Sequence, residues 1–155
     1  MFDHKFVIAS MFAASVAFST PSFAQTTVEL QGDVKVVRIV EEAGKRVETY
    51  AEPTQVVPGD RLKFTTSYRN GTSELVENFV ITNPLPKAVL LTDAGDFEVS
   101  VDGGETFGPL ESRTVSLPEG GSRPAMLADV EQVRWTIASI APGASGQVTY
   151  FASVR

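Results

Sequence analysis

Alternation of apolar and polar residues with period two is the dominant pattern along this chain. Leu62, Phe64, Thr66 and Tyr68 alternate with Lys63, Thr65, Ser67 and Arg69. Val133, Trp135 and Ile137 alternate with Arg134 and Thr136, and Val148, Tyr150, Ala152 and Val154 repeat the pattern near the end. Successive side chains of a strand point to opposite faces, so each run predicts a strand with one buried face. Residues 34–40 and 46–51 read as a hairpin around the polar connection Glu41-Glu42-Ala43-Gly44-Lys45. Apolar positions shift phase between Val34 and Val36 on one side and Val37 and Ile39 on the other. That shift predicts a bulge, or a strand covered on both faces.

Shorter strand signals fall at 76–82, 88–91, 97–101 and 113–117, and 125–130 reads as a single helical turn. Val57-Pro58-Gly59-Asp60, Asn70-Gly71, Asn83-Pro84 and Ala141-Pro142-Gly143 punctuate them with turn chemistry. About eight to ten short strands without an amphipathic helix predict an all-β fold, an antiparallel β-sandwich. No internal repeat is visible, so the expectation is one domain.

The N-terminus follows a different pattern. Lys5 precedes an apolar run over residues 6–18, and Ser22-Phe23-Ala24 follows it. This is the pattern of a secretory signal peptide over residues 1–24, cleaved after Ala24. The run is shorter than the ~20 residues a spanning helix needs, and no later stretch is apolar enough to cross a membrane. The expected products are an exported chain, in the periplasm or outside the cell, and one sandwich domain over residues 25–155. Within it, 25–52 form an N-terminal strand and hairpin and 53–155 the core.

Composition narrows the chemistry. The chain has no cysteine and one histidine, His4, which leaves with the signal. That excludes a Ser-His-Asp triad, a thiol nucleophile, a zinc site built on His or Cys and the usual haem ligands. Net charge is −6, and the loss of Asp3 with Lys5 does not change it. Such a surface repels nucleic acid and anionic bilayers. No residue is assigned a catalytic role, and an enzyme is not expected.

Two local patterns invite a closer look. Ser100-Val101-Asp102-Gly103-Gly104-Glu105-Thr106-Phe107 fits the Asp-box pattern Ser-x-Asp-x-Gly-x-Thr-aromatic. Asp102 is expected to accept N–H bonds within the turn, with Gly104 and its neighbour taking unusual dihedrals and Phe107 packing under the hairpin. A single copy cannot build a propeller, so a structural hairpin is expected. Asp93, Asp96, Asp102 and Glu105 lie close in sequence. Calcium is the one ion they could bring, but their spacing fits no EF-hand, and no cofactor is expected. Trp135 and Tyr150 read as core residues, and Phe151 falls on the opposite face, where it marks a contact surface or a second covered face. Asn70-Gly71-Thr72 fits a glycosylation sequon but reads as a turn, prone to deamidation if the loop is mobile.

The turn signatures come in an order that carries a resemblance. Pro58-Gly59-Asp60, an alternating strand, Asn70-Gly71-Thr72 and a strand ending in Asn83-Pro84-Leu85-Pro86 form one half. Trp135, then Ala141-Pro142-Gly143, then an apolar final strand form the other. The chain thereby resembles the domain-of-unknown-function-eleven family of prokaryotic surface proteins. The resemblance implies an immunoglobulin-like sandwich in an envelope or secreted protein, often repeated in tandem in larger adhesins, with no catalytic residues. Here there is a single copy. The function expected is a structural or interaction module that contacts a protein or glycan of the cell envelope. A glycan would use the Asp-box hairpin and loop aromatics, with the loops over 93–124 as the first place to look. An assembly factor or filament subunit would use strand addition, and the final strand, ending at Arg155, is the expected edge for a homo-oligomer.

Overall fold

A computed structural model describes residues 27–155. The expected signal peptide lies outside the described residues. Ten strands follow in order: β1 Val28–Glu42, β2 Lys45–Ala51, β3 Arg61–Asn70, β4 Val76–Pro84, β5 Val89–Leu91, β6 Glu98–Ser100, β7 Thr114–Ser116, β8 Ser122–Pro124, β9 Gln132–Ile140 and β10 Ser145–Val154. Short 3-10 turns occupy Leu110–Ser112 and Leu127–Asp129. All strand pairs are antiparallel: a five-stranded sheet in the order β2-β1-β3-β10-β5, a three-stranded sheet β4-β9-β6, and a small β7-β8 hairpin.

The two larger sheets enclose one apolar core in a sandwich-like arrangement. Val36, Leu62, Val148, Tyr150 and Ala152 come from the five-stranded sheet, and Ile81, Val99, Val133 and Trp135 from the other. These are the apolar positions of the alternating runs, so the period-two pattern is the pattern of burial. An aromatic chain crosses between the sheets. Phe97 meets Trp135 edge-on at 5.3 Å, Trp135 lies 6.2 Å from Tyr150, and Tyr150 stacks on Phe64 at 4.7 Å. Burial pushes the Tyr150 hydroxyl up to about 12, because ionisation would place a charge in the core.

Several local expectations change. The first strand begins at Val28, well before residue 34, and runs 15 residues because it serves two partners. Its positions 28–36 pair with β3 and its positions 36–42 with β2. Both registers are unbroken, so the phase shift marks no bulge. Val36 and Val37 are both buried, at 1% and 8% exposure, where the strand passes from one partner to the other. Positions 28–36 therefore belong to the main sheet, and the expected hairpin forms between positions 36–42 and 45–51.

The Asn70-Gly71 dipeptide does not close a hairpin. β3 and β4 lie in different sheets, so the chain crosses the sandwich there, and it crosses back between β9 and β10. The final strand is not a free edge over its whole length. β10 pairs with β3 along positions 145–153 and with β5 along 152–154. Pro84, which cannot donate a ladder hydrogen bond, ends β4 as expected, and β4 is an outer strand of its sheet.

Candidate functional site

The Asp102 loop follows β6 and is bound up with itself. Ser100, fully buried at the end of β6, donates its hydroxyl to Asp102 Oδ1 at 2.6 Å. The Thr106 N–H reaches Asp102 Oδ1 at 3.0 Å, and the Thr106 hydroxyl reaches Oδ2 at 2.5 Å. Ser100 Oγ in turn accepts the Gly104 N–H at 2.9 Å. Gly103 and Gly104 take φ of +76° and +96°, which is what lets the loop wrap around one carboxylate. The hydroxyls of Ser100 and Thr106 and the Thr106 N–H hold the Asp102 carboxyl far below the usual carboxylate range.

Neighbouring strands lock the loop from outside. Glu131 Oε2 accepts the Gly103 N–H at 2.7 Å, and the Gln132 amide donates to the Gly103 carbonyl at 2.8 Å. The Arg134 guanidinium lies 4.1 Å over the Phe107 ring, and Arg134 also holds Glu98 at 2.7 Å. Asp102 is thus an anchor for its loop, and a cation covers Phe107, which is half-buried.

The two Pro-Gly turns are twins. Asp60 N–H closes on the Val57 carbonyl at 3.0 Å around Pro58 and Gly59, with Gly59 at φ +91°. Ala144 N–H closes on the Ala141 carbonyl at 3.0 Å around Pro142 and Gly143, with Gly143 at φ +72°. Proline second and a positive-φ glycine third are the signature of a type II turn. Each turn docks on the far end of the other's strand. Gly59 N–H reaches the Val154 carbonyl while Val154 N–H reaches the Asp60 carbonyl, both at 2.9 Å. Gly143 N–H reaches the Asn70 carbonyl while Asn70 N–H reaches the Ala144 carbonyl, also at 2.9 Å. The opening and closing signatures in the sequence are therefore the two ends of the β3-β10 ladder, related by a local twofold. Arg38 fastens the first turn to β1 through Asp60 at 2.6 Å. That hydrogen bond, with the Val57 N–H, lowers the Asp60 carboxyl below its ordinary range.

Asn70 is the residue that sequence reasoning undervalued. Its side chain is completely buried. Its amide nitrogen donates to the carbonyls of Glu74 at 2.8 Å and Ile140 at 2.9 Å. Its amide oxygen accepts the Thr72 N–H at 2.9 Å and the Thr72 hydroxyl at 2.7 Å. One carboxamide thereby ties the end of β3 to the approach to β4, the end of β9 and, through its backbone, the start of β10. The deamidation expected of a mobile loop would have to break these four hydrogen bonds. The sequon is closed for the same reason. The signal available in the sequence was an Asn ending a core-facing series, Leu62, Phe64, Thr66, Tyr68, Asn70.

The other candidates are dispersed. Asp93 faces Arg61 at 3.8 Å, and Asp102 keeps to its loop. Among the described residues no three His, Cys, Asp or Glu side chains gather as a metal site would require. Trp135 is 9% exposed and packs in the core. Phe151 is half-buried on the outer face under the Arg61 guanidinium, 4.2 Å from the ring centroid. A cleft of about 690 Å³ opens beside the 3-10 turn at Leu127–Asp129, lined by Leu85, Lys87, Val101, Asp129 and Glu131. Its two acids are engaged elsewhere, Asp129 by Arg123 with two contacts of 2.7 Å and Glu131 by Gly103. No described helix is long and apolar enough to cross a membrane. Comparison with protein-family models, with curated proteins and with solved structures returns no match.

Proposed function

We propose that this protein is a non-enzymatic, exported module of the bacterial envelope or its surroundings, an immunoglobulin-like sandwich that works by surface contact. The observation that carries this reading is how the polar side chains are spent. Asp60, Asp102 and Asp129 have depressed carboxyls, and each owes it to hydrogen bonds that hold a turn or loop. Perturbed groups of that kind mark either chemistry or architecture, and here the partners are the chain's own hydroxyls, N–H groups and guanidinium groups. The N-terminal signal pattern supports export, and the order of turn signatures supports kinship with prokaryotic surface domains. The hairpin β1-β2 adds exposed apolar surface: Ile39 is 59% exposed, Tyr50 48% and Val57, just beyond it, 60%.

A glycan site at the Asp102 loop has less support, since both oxygens of Asp102 are occupied and Arg134 lies over Phe107. Cell fractionation with crosslinking in place and mass spectrometry tests the reading. The expected result is processed protein outside the cytoplasm, crosslinked to an envelope or matrix component or to itself. Unprocessed protein in the cytoplasm would sink the proposal.

A further inference from the structure

We infer that the outer edge of β2 is a self-association surface whose partner is a second copy of this chain. β2 ends the five-stranded sheet, so one side of its backbone has no strand beside it. Such an edge is a template for pairing unless something blunts it. The end strands of the other edges among the described residues are short or interrupted, and the sides that β10 leaves open over 145–151 and β9 over 135–140 carry no charges to pair with a second copy. β4 carries Pro84 and a left-handed Asn78 at φ +51°, and the ladder skips Asn78. β5 and β6 are three residues each. The free part of β1, positions 28–35, contains Gly32 and runs up against Glu52, which Lys35 holds. β2, Lys-Arg-Val-Glu-Thr-Tyr-Ala, has seven residues with no Pro, Gly or break in its register.

Its sequence is complementary to itself. When two copies run antiparallel with Val47 on the twofold axis, Arg46 of each opposes Glu48 of the other, and the two Val47 side chains meet. Val47 already pairs with Val40 on β1, and each is 37% exposed. The dimer would line up Val40, Val47 and their two counterparts in one apolar row on the core-facing side. The charge pairs fall on the opposite side. Registers one step either way that keep the faces aligned centre on Arg46 or on Glu48 and set like charges against each other. Registers that exchange the faces bury charge against valine. The pairing is isologous, as twofold dimers require. Glu48 is already offered outward, meeting Arg61 at 3.2 Å with both side chains over 40% exposed. Arg46 forms no ion pair among the described residues. One seven-residue edge is smaller than a standard interface of ~1,600 Å², so a dissociation constant on the order of micromolar or above is expected.

Sedimentation equilibrium of the purified protein across concentration tests this. The wild type is expected to pass from monomer to dimer. Arg46→Glu and Glu48→Arg each oppose like charges and are expected to weaken dimerisation roughly tenfold or more. Mixing the two variants brings opposite charges together again at both contact points, with the signs of one pair exchanged, and is expected to restore a heterodimer. Both changes lie on an exposed hairpin, and an unchanged melting temperature checks that each variant is folded. A wild type that stays monomeric, variants that dimerise as well as wild type, or a mixture that fails to rescue would each overturn the inference. It rests on the exposure of β2 and not on the contact-module reading, which a strictly monomeric exported protein would leave standing.

Discussion

Asn70 and Asp102 solve the same local problem with different side chains. Each stands at or just beyond the end of a strand, before a glycine, and each accepts both the N–H and the hydroxyl of a threonine further on, Thr72 or Thr106. What they do with their remaining capacity differs. The amide of Asn70 also donates, so it reaches two carbonyls on other segments and ties the end of β3 to the approach to β4 and the end of β9. The carboxylate of Asp102 can only accept, so it gathers hydroxyl and N–H groups and leaves carbonyls to others. Asn70 is neutral and fully buried; Asp102 is charged and exposed. A carboxylate in the place of Asn70 would face two carbonyl oxygens inside the protein. A loop that must close a core thus needs an amide, whereas a loop facing water is well served by a carboxylate.

The sharpest way to break this comparison is Asn70→Asp. It removes both donors from a buried side chain, leaves the buried Ile140 carbonyl without its partner and adds a charge, so a loss of about 3–5 kcal/mol is expected in urea unfolding. A loss below about 1 kcal/mol would mean that Asn70 is not what holds that end of the sandwich. A paired substitution comes next. Thr72→Val takes a hydroxyl from a half-buried network and is expected to cost about 1–2 kcal/mol, while Thr106→Val, in the exposed loop, costs less. Equal losses at the two sites would remove the distinction drawn between them.

Acid separates the two loops in another way. Asp60, Asp102 and Asp129 have folded carboxyls below their unfolded values, Asp129 at about 2. Such groups favour the folded state above the unfolded carboxylate range, near pH ~4, and that contribution is lost as pH falls through the folded values. Stability is therefore expected to decline below pH ~4, and Asp102→Asn to flatten the decline. The Asn70 network does not titrate. An acid profile that Asp102→Asn leaves unaltered would show that the loop contributes nothing to it. The smallest effect concerns dynamics. Asp102→Ala should speed amide exchange at Gly104 and Thr106 by roughly tenfold while leaving core strands protected. In the same wild-type samples, peptide mapping should find Asn70 intact in folded protein and deamidated after unfolding.

Much of the architecture was legible because burial writes itself into alternation. Leu62, Phe64, Tyr150, Trp135 and their neighbours announce both the strand and the face it buries, and Pro58-Gly59 and Pro142-Gly143 announce the turns. Those signals are local, since they depend on φ, on a missing N–H or on the two-residue period of one strand. Asp102 was legible for the same reason, since its partners lie within four residues along the chain. β1 was only half legible. Its stretch Glu29-Leu30-Gln31-Gly32-Asp33 has few apolar residues because it lies on an exposed edge, where alternation is not enforced.

The sequence alone determined an all-β chain, its turn positions, the absence of cysteine and the anchoring role of Asp102. Tertiary structure decided which sheet each strand joins, that Asn70-Gly71 is a crossover and not a hairpin, and that β10 pairs with β3 along nearly all its length and with β5 only at its end. It also made Asn70 a tie between distant segments and left β2 at an open edge of the five-stranded sheet. Each of these depends on partners far away in the chain. Glu74 is near Asn70 in sequence, but Ile140 lies 70 residues on, and only the folded sandwich brings its carbonyl within 2.9 Å.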